Sequence, residues 1–377
     1  MADSNATSPS SETDTAPTPG SRDSENAIVF YGDGEPKTPQ GMLERLVEFQ
    51  KRTGIEPDTY TLGGTVEQLE SHFAEALGKE AAAFMPTGTL ANHLAIRKLC
   101  GLNPRAIVQE QSHLYNDTGD TVTRLSNINL VPLAKDRPYF TASELEQAVD
   151  LSESGRVANP VGAVMVESPV RRQAGQIVPI DEMIAITDFC KERDIPTHLD
   201  GARLYMMSAA TEISPVEYSA LFDTVYVSLY KYFGAPYGAI LAGDADFIDG
   251  IYHDRRMFGG GLASAGFAAA LALDGTRGFE ERFAQAMSKA GTLFEQLNRI
   301  SGLAMGRFEH GSNIFPVALD PDVNADKFVS ELRELSIFIR LESSGAEGNT
   351  LTVNTTILLR TNEEILEAFQ AAISQAR

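Results

Sequence analysis

The chain has no tryptophan, two cysteines and six histidines among its 377 residues. Positive charge is short as well: 31 Lys and Arg stand against 52 Asp and Glu, a formal net charge of −21. Binding a nucleic-acid backbone needs clustered Lys and Arg. No such cluster is present, so nucleic acid is excluded as a partner. The acid excess reads as a solubility feature or as fitness for a salty milieu, not as a sign of an acidic substrate. Although 43% of residues are hydrophobic, no run of eighteen uncharged apolar residues occurs, and a membrane span is not expected. Cys100 and Cys190 lie in helix-like segments without CxxC or Cys/His spacing. They read as buried thiols in a reducing compartment, which excludes a disulfide framework or a zinc site. Residues 1–26 are Ser, Thr, Pro and Asp with almost nothing apolar. Such a segment cannot repay its ordering entropy and is expected to be disordered. Without an apolar h-region it is no signal peptide, and a cytoplasmic location is expected.

From Ala27 onward the pattern changes. The strand-like AIVFY gives way to turn chemistry in GDGEPKTP and to a helical GMLERLVEFQKRTG. A helix over residues 66–77 places Val66, Leu69, Phe73 and Leu77 on one face before Gly78 stops it. RAIVQEQ, NINLVPL, VGAVMVES, DIPTHLD, TVYVSLY and YGAILAG then read as strands, with helices such as ELEQAVDL and DEMIAITDFCKERD between them. This alternation predicts an α/β fold with a mostly parallel central sheet. After Phe258 the Gly-rich GGGLASAG reads as a tight loop entering a buried helix. From about Arg277 a long amphipathic helix and unalternated strands and helices predict a separate α+β unit. The expected organisation is a large domain over residues 27–276, with an N-terminal arm, and a small C-terminal domain over 277–377.

Two charges in residues 197–243 need a reason. Asp200 closes the apolar run THLD, and Lys231 follows TVYVSLY, with glycines after both. In open α/β sheets ligands gather at the carboxyl ends of strands, where such a pair can meet one bound molecule. Pyridoxal phosphate asks for this pair: a lysine for a Schiff base and an acid for the pyridinium nitrogen. Desolvation readily lowers a lysine's pKa and frees its amine. Gly234, Ala235, Pro236 and Gly238 leave room for a planar ring. The plain alternatives are a solvent-facing Lys231 and an Asp200 that caps the helix beginning GARLY. In PTGTLANHLAIRKL, a strand runs through Thr87, Gly88 and Thr89 straight into a helix, so free N–H groups and a positive dipole end face a glycine turn. Phosphate is the natural guest there, and capping alone is the alternative. His113 reads as a strand-end residue able to pack on a ring or serve as acid and base, or as an ordinary hydrogen-bonding histidine. Arg203, three residues after Asp200, is placed to capture a substrate carboxylate or to make a surface ion pair.

The segments TVEQLESHFAEALGKEAAAFMPTGTLAN, HLDGARL, FDTVYVSLYKYFGAPYGAILAG and FGGGLASAG together resemble the low-specificity threonine aldolases of the β-eliminating lyase superfamily, which are fold-type I pyridoxal-phosphate enzymes. The likeness covers residues 27–276 and weakens beyond. It implies Lys231 as the Schiff-base lysine, Asp200 at the pyridinium nitrogen, Gly88 and Thr89 on the phosphate, His113 stacked on the ring and Arg203 toward the substrate carboxylate. It also implies a homodimer or homotetramer with sites at the dimer interface. Departures accompany it. Where those aldolases carry Thr-His-Asn after the strand-end Glu, this chain has Pro169, Val170 and Arg171. Tyr230 replaces the Ser before the lysine, and Leu262, Ala263 and Ser264 replace Met-Arg-Gln after the triple glycine. No second carboxylate-binding arginine matches near Val353 and Asn354, so Arg171 or Arg172 is a candidate for that role, with a surface loop as its alternative. ESPVRRQAGQIVP is similar to an offshoot labelled β-eliminating lyase-related.

The expected function is therefore a pyridoxal-phosphate lyase that cleaves a threonine-like β-hydroxy-α-amino acid to glycine and an aldehyde, with Lys231 and His113 as catalytic groups. The alternatives are β-elimination, racemisation or transamination on the same cofactor, and a non-catalytic binding protein on the same fold.

Overall fold

A computed structural model describes residues 26–341 and 348–377. The expectation of disorder in residues 1–26 falls, except for Asn26, outside the described residues.

Twelve strands occur among the described residues, numbered here in chain order: β1 (Ile28–Val29), β2 (Ala81–Met85), β3 (Arg105–Gln109), β4 (Asn129–Leu133), β5 (Val161–Glu167), β6 (Thr197–Asp200), β7 (Thr224–Ser228), β8 (Ala239–Gly243), β9 (Leu303–Met305), β10 (Ile314–Leu319), β11 (Ile337–Phe338) and β12 (Thr350–Thr352). Seven of them form the central sheet in the order β2-β8-β7-β6-β5-β3-β4. The β7-β6, β6-β5, β5-β3 and β3-β4 pairs are parallel, whereas β8 runs antiparallel to both of its neighbours. The mostly parallel sheet of an α/β fold is thus present. β8 is reversed because the short connection around Lys231 folds back on β7 instead of crossing over through a helix.

Both faces of the sheet are covered, and β5 through β8 are buried at every residue, their polar side chains at or near the strand ends. The helix Gly64–Leu77 contributes Val66, Leu69, Phe73 and Leu77, each fully buried, and ends at Gly78 in the left-handed conformation. It packs on the helix Gly266–Thr276, buried along its first seven residues apart from Phe267, which the glycine-rich loop introduces. The helix Gly88–Cys100 crosses β5, β7 and β8.

A second apolar cluster joins the C-terminal half of the helix Phe279–Leu297 to the antiparallel β9-β10-β12 sheet and the helices Ala325–Glu334 and Asn362–Ala376. The N-terminal strand packs in this cluster too. β1 pairs in parallel with β11, Phe30 accepts the Thr352 N–H at 2.8 Å, and Asn354 Nδ2 donates to the Val29 carbonyl at 2.9 Å. Ile28 and Phe30 are apolar and find their open sheet edge and core in the C-terminal unit.

Candidate active site

Five parallel strands deliver their C-terminal ends to one cavity of about 530 Å³. β2 leads to Thr87, Gly88 and Thr89; β3 leads to His113; β5 ends at Glu167; β6 ends at Asp200; and β7 leads to Tyr230 and Lys231, all lining the cavity with Asp33, Arg171, Arg203, Tyr226 and Tyr237. This carboxyl edge is where ligands sit in open α/β sheets.

Lys231 sits just past β7 in a braced turn. Lys37 Nζ donates to the Tyr230 carbonyl at 2.5 Å and to the Ala235 carbonyl at 3.3 Å. Gly34 packs so closely that a Cβ there would lie 2.7 Å from the Lys231 carbonyl oxygen. Burial, helped by the positive charge of Arg203, lowers the Lys231 ammonium to about 8, against the pull of Asp200, Asp33 and Glu167. A solvent-facing lysine would keep its ordinary value.

Asp200 is 2% exposed. It does not cap a helix, because the next helix begins at Leu204; its Oδ1 accepts the Ala202 N–H at 3.1 Å and its Oδ2 accepts from Asn92 Nδ2 at 2.5 Å. Arg203 immediately precedes that helix, and its Nε pairs with Asp33 Oδ1 at 2.8 Å. Thr87 caps the helix Gly88–Cys100 by accepting the Leu90 N–H at 3.1 Å. The earlier N–H groups, those of Gly88 and Thr89, have no intrahelical acceptor and point outward from the helix start. A side chain at Gly88 is impossible without rearrangement, since its Cβ would lie 2.0 Å from Tyr226 Oη.

His113 is not at the strand end itself: β3 stops at Gln109 and His113 opens the short helix His113–Asn116. Burial lowers its pKa, so the imidazole is neutral at neutral pH. Its backbone N–H donates to Glu167 Oε2 at 2.5 Å, while Glu167 Oε1 accepts the Arg171 N–H at 2.9 Å. Burial and the adjacent Asp200 raise the Glu167 carboxyl above its usual range, against those two donors. Glu167 therefore braces the loops that carry His113 and Arg171. Arg171 lines the cavity, but Arg172 does not: its guanidinium turns to Asp117 at 2.8 Å and is 43% exposed. Val170 is fully buried and outside the cavity wall.

Asp33, Asn92 and the bracing role of Glu167 were not legible in the sequence. Only the position of Glu167 at the end of a strand next to Asp200 gave a signal.

The family model described as beta-eliminating lyase matches residues 42–319. The chain belongs to this family. A Candida albicans low-specificity L-threonine aldolase is 35% identical over 212 residues, 55% of this chain and 56% of that protein. The chain spans about half the length of the curated threonine aldolases that it matches first. The alanine racemase TOXG of Cochliobolus carbonum is 28% identical over 306 residues, 78% of this chain and 77% of that protein. Among solved structures, a candidate L-allo-threonine aldolase from Listeria monocytogenes superposes with a TM-score of 0.75 at 27% identity, covering 93% of this chain and 98% of that one. The architecture of this family member is that of fold-type I pyridoxal-phosphate enzymes.

Proposed function

We propose that this chain is a pyridoxal-phosphate lyase acting on an amino acid, and that its reaction is the cleavage of a β-hydroxy-α-amino acid to glycine and an aldehyde. The observation that carries this is the burial of Lys231, with its lowered pKa, in one cavity with Asp200 and the helix start at Gly88. The residues fit the cofactor: the start of the helix at Gly88 and Thr89 lines the cavity with N–H groups that have no intrahelical acceptor, an anchored carboxylate awaits a cation, and the cavity is large enough for a cofactor and a small substrate.

When bound, pyridoxal phosphate withdraws electrons from the bond broken at the substrate's α carbon. In this reading the Gly88 and Thr89 N–H groups hold the phosphate. Asp200 would hold the ring nitrogen, and Lys231, its ammonium lowered to about 8 by burial, would supply the amine that attaches the cofactor. His113, neutral and in the cavity wall, accepts the proton of the β-hydroxyl. Glu167 is less suited to that task because both of its oxygens are engaged by backbone donors. Arg203 and Arg171 receive the substrate carboxylate.

A second reading, racemisation or β-elimination, draws on the buried Val170 at the place of an aldolase histidine and on the likeness to an alanine racemase. Purified protein with cofactor, offered threonine, allo-threonine and phenylserine, tests the choice. Release of glycine supports cleavage. Pyruvate, ammonia or inverted chirality from single amino acids, without glycine, replaces it by the second reading.

A large cofactor-binding unit up to about residue 276 and a smaller unit over 277–377 that recruits β1 are also part of this proposal, supported by the two apolar clusters. So is assembly as a homodimer or homotetramer. Tyr60, Leu62, Met257 and Phe267 are 44%, 47%, 62% and 63% exposed, and the Tyr60 N–H bonds the Ala263 carbonyl, which brings these apolar segments together. A cytoplasmic location is supported by the two buried free thiols, both raised to about 12 by burial, and no described helix is long and apolar enough to cross a membrane.

A further inference from the structure

Asp200 is held by a line of buried polar side chains. Beyond the 2.5 Å bond from Asn92 Nδ2, the Asn92 Oδ1 lies 3.0 Å from His198 Nε2, and His198 Nδ1 lies 2.8 Å from Thr224 Oγ1. Asn92 and His198 are fully buried and Thr224 is 1% exposed.

The donors can be assigned along this line. An ionised carboxylate only accepts, so Asn92 presents its NH₂ to Asp200 and its carbonyl oxygen to His198. That oxygen needs a donor, which places the His198 proton on Nε2. Nδ1 is then an acceptor, and the Thr224 hydroxyl supplies its hydrogen. Burial lowers His198 to about 4, so the neutral imidazole required here is the form present at neutral pH. Every polar atom of the line between the Thr224 hydroxyl and Asp200 Oδ2 is satisfied, and reversing any one member would leave two acceptors face to face.

Asn92 also links the two ends of the site. It lies one turn into the helix Gly88–Cys100, whose first residues form the glycine turn at the other end of the cavity. One rigid element therefore presents outward N–H groups at its start and the Asn92 amide, one turn later, at Asp200.

We propose that Thr224, His198 and Asn92 form a positioning relay that fixes Asp200 in the orientation needed to hold the cofactor's ring nitrogen, and that Asn92 ties this orientation to the phosphate-binding helix. The inference rests on the reading of the cavity as a pyridoxal-phosphate site. The three residues do not touch the cofactor; they act through Asp200. A trio that merely filled space could be exchanged for apolar side chains with little effect on the cofactor.

The test uses the full chain and pyridoxal phosphate itself. The readouts are the cofactor dissociation constant, its visible absorption band and the thermal midpoint without cofactor. Asn92→Leu removes the side-chain donor to Asp200, and His198→Leu removes the donor that fixes Asn92; both are expected to weaken binding by about tenfold or more and to alter the band. His198→Gln, whose amide NH₂ can reach the Nε2 position, is expected to stay within about threefold of wild type. Apolar variants that bind like wild type with an unchanged band overturn the relay, as does a His198→Gln no better than His198→Leu. If the leucine variants fail to fold, Thr224→Val, which removes only the outermost hydroxyl, decides: weakened binding supports the relay and wild-type binding overturns it. A wild-type chain that stays colourless with the cofactor overturns the cofactor reading and the relay with it, whereas a coloured wild type with equally coloured, equally tight variants overturns the relay alone.

Discussion

The Nε of Arg203 lies 2.8 Å from Oδ1 of Asp33, which ties the turn after β6 to a loop 170 residues earlier in the chain. The side chains are 11% and 13% exposed, so each charge depends on the other to offset its desolvation. The pair engages the guanidinium at Nε, and in the proposed reading the terminal nitrogens take the substrate carboxylate. Asp33→Ala is expected to raise KM for the amino-acid substrate by about tenfold. Its effect on cofactor affinity should be a few-fold at most. Steady-state kinetics beside a cofactor titration measure both, and Asp33→Asn, which keeps an acceptor oxygen, should lie in between.

Gly88 gives a second expectation. A Cβ there would lie 2.0 Å from Tyr226 Oη and 2.3 Å from Tyr226 Cζ, so Gly88→Ala must displace either the helix start or a buried ring. The cost in stability should be about 1–3 kcal/mol. Cofactor affinity should fall as well, because the outward N–H groups move with the helix. Thermal midpoints and a cofactor titration check this, and adding Tyr226→Ala to the same chain should recover part of the affinity.

His198 makes stability depend on pH in a defined window. Its pKa falls from 6.5 to about 4 on folding, chiefly through burial. Between those values the unfolded chain binds more protons than the folded one, so stability increases as pH rises from about 4 to 6.5. Above 6.5 the group contributes no slope. On acidification through that window, wild type should lose on the order of 3 kcal/mol relative to His198→Gln, which has no proton to gain there. Denaturant unfolding of both proteins at pH 7, 5.5 and 4.5 measures the difference.

Much of the candidate site could be read from the sequence because its members end apolar strands or interrupt them with glycine. Asp200 and Lys231 are charges at the ends of strand-like runs with no other formal charge, and Gly88 opens a helix directly after a strand. Local pattern also gave the α/β alternation and the buried helix after the glycine loop. It could not give β8's reversed direction, which depends on how the Lys231 turn folds back. Asn92 was invisible for a related reason: in the middle of a helix it looks like any other residue, and only the packing of that helix over β6 and β7 brings it to Asp200. Asp33 sits in a turn-rich loop where an aspartate needs no explanation. Its meaning lies in a partner 170 residues away. The turn at Pro169, Val170, Arg171 and Arg172 was legible as a departure but not as a geometry, and the structure divides it: Arg171 faces the cavity, Val170 is buried and Arg172 turns to Asp117.

The central claim is that Lys231 attaches pyridoxal phosphate in the cavity that it shares with Asp200 and Gly88. The absorption spectrum of the purified chain incubated with pyridoxal phosphate, beside that of Lys231→Ala, tests it most directly. The account predicts a visible band in wild type that borohydride bleaches with covalent retention of the cofactor, and no such band in Lys231→Ala. A wild-type protein that stays colourless, or a variant that keeps the reducible band, would contradict it.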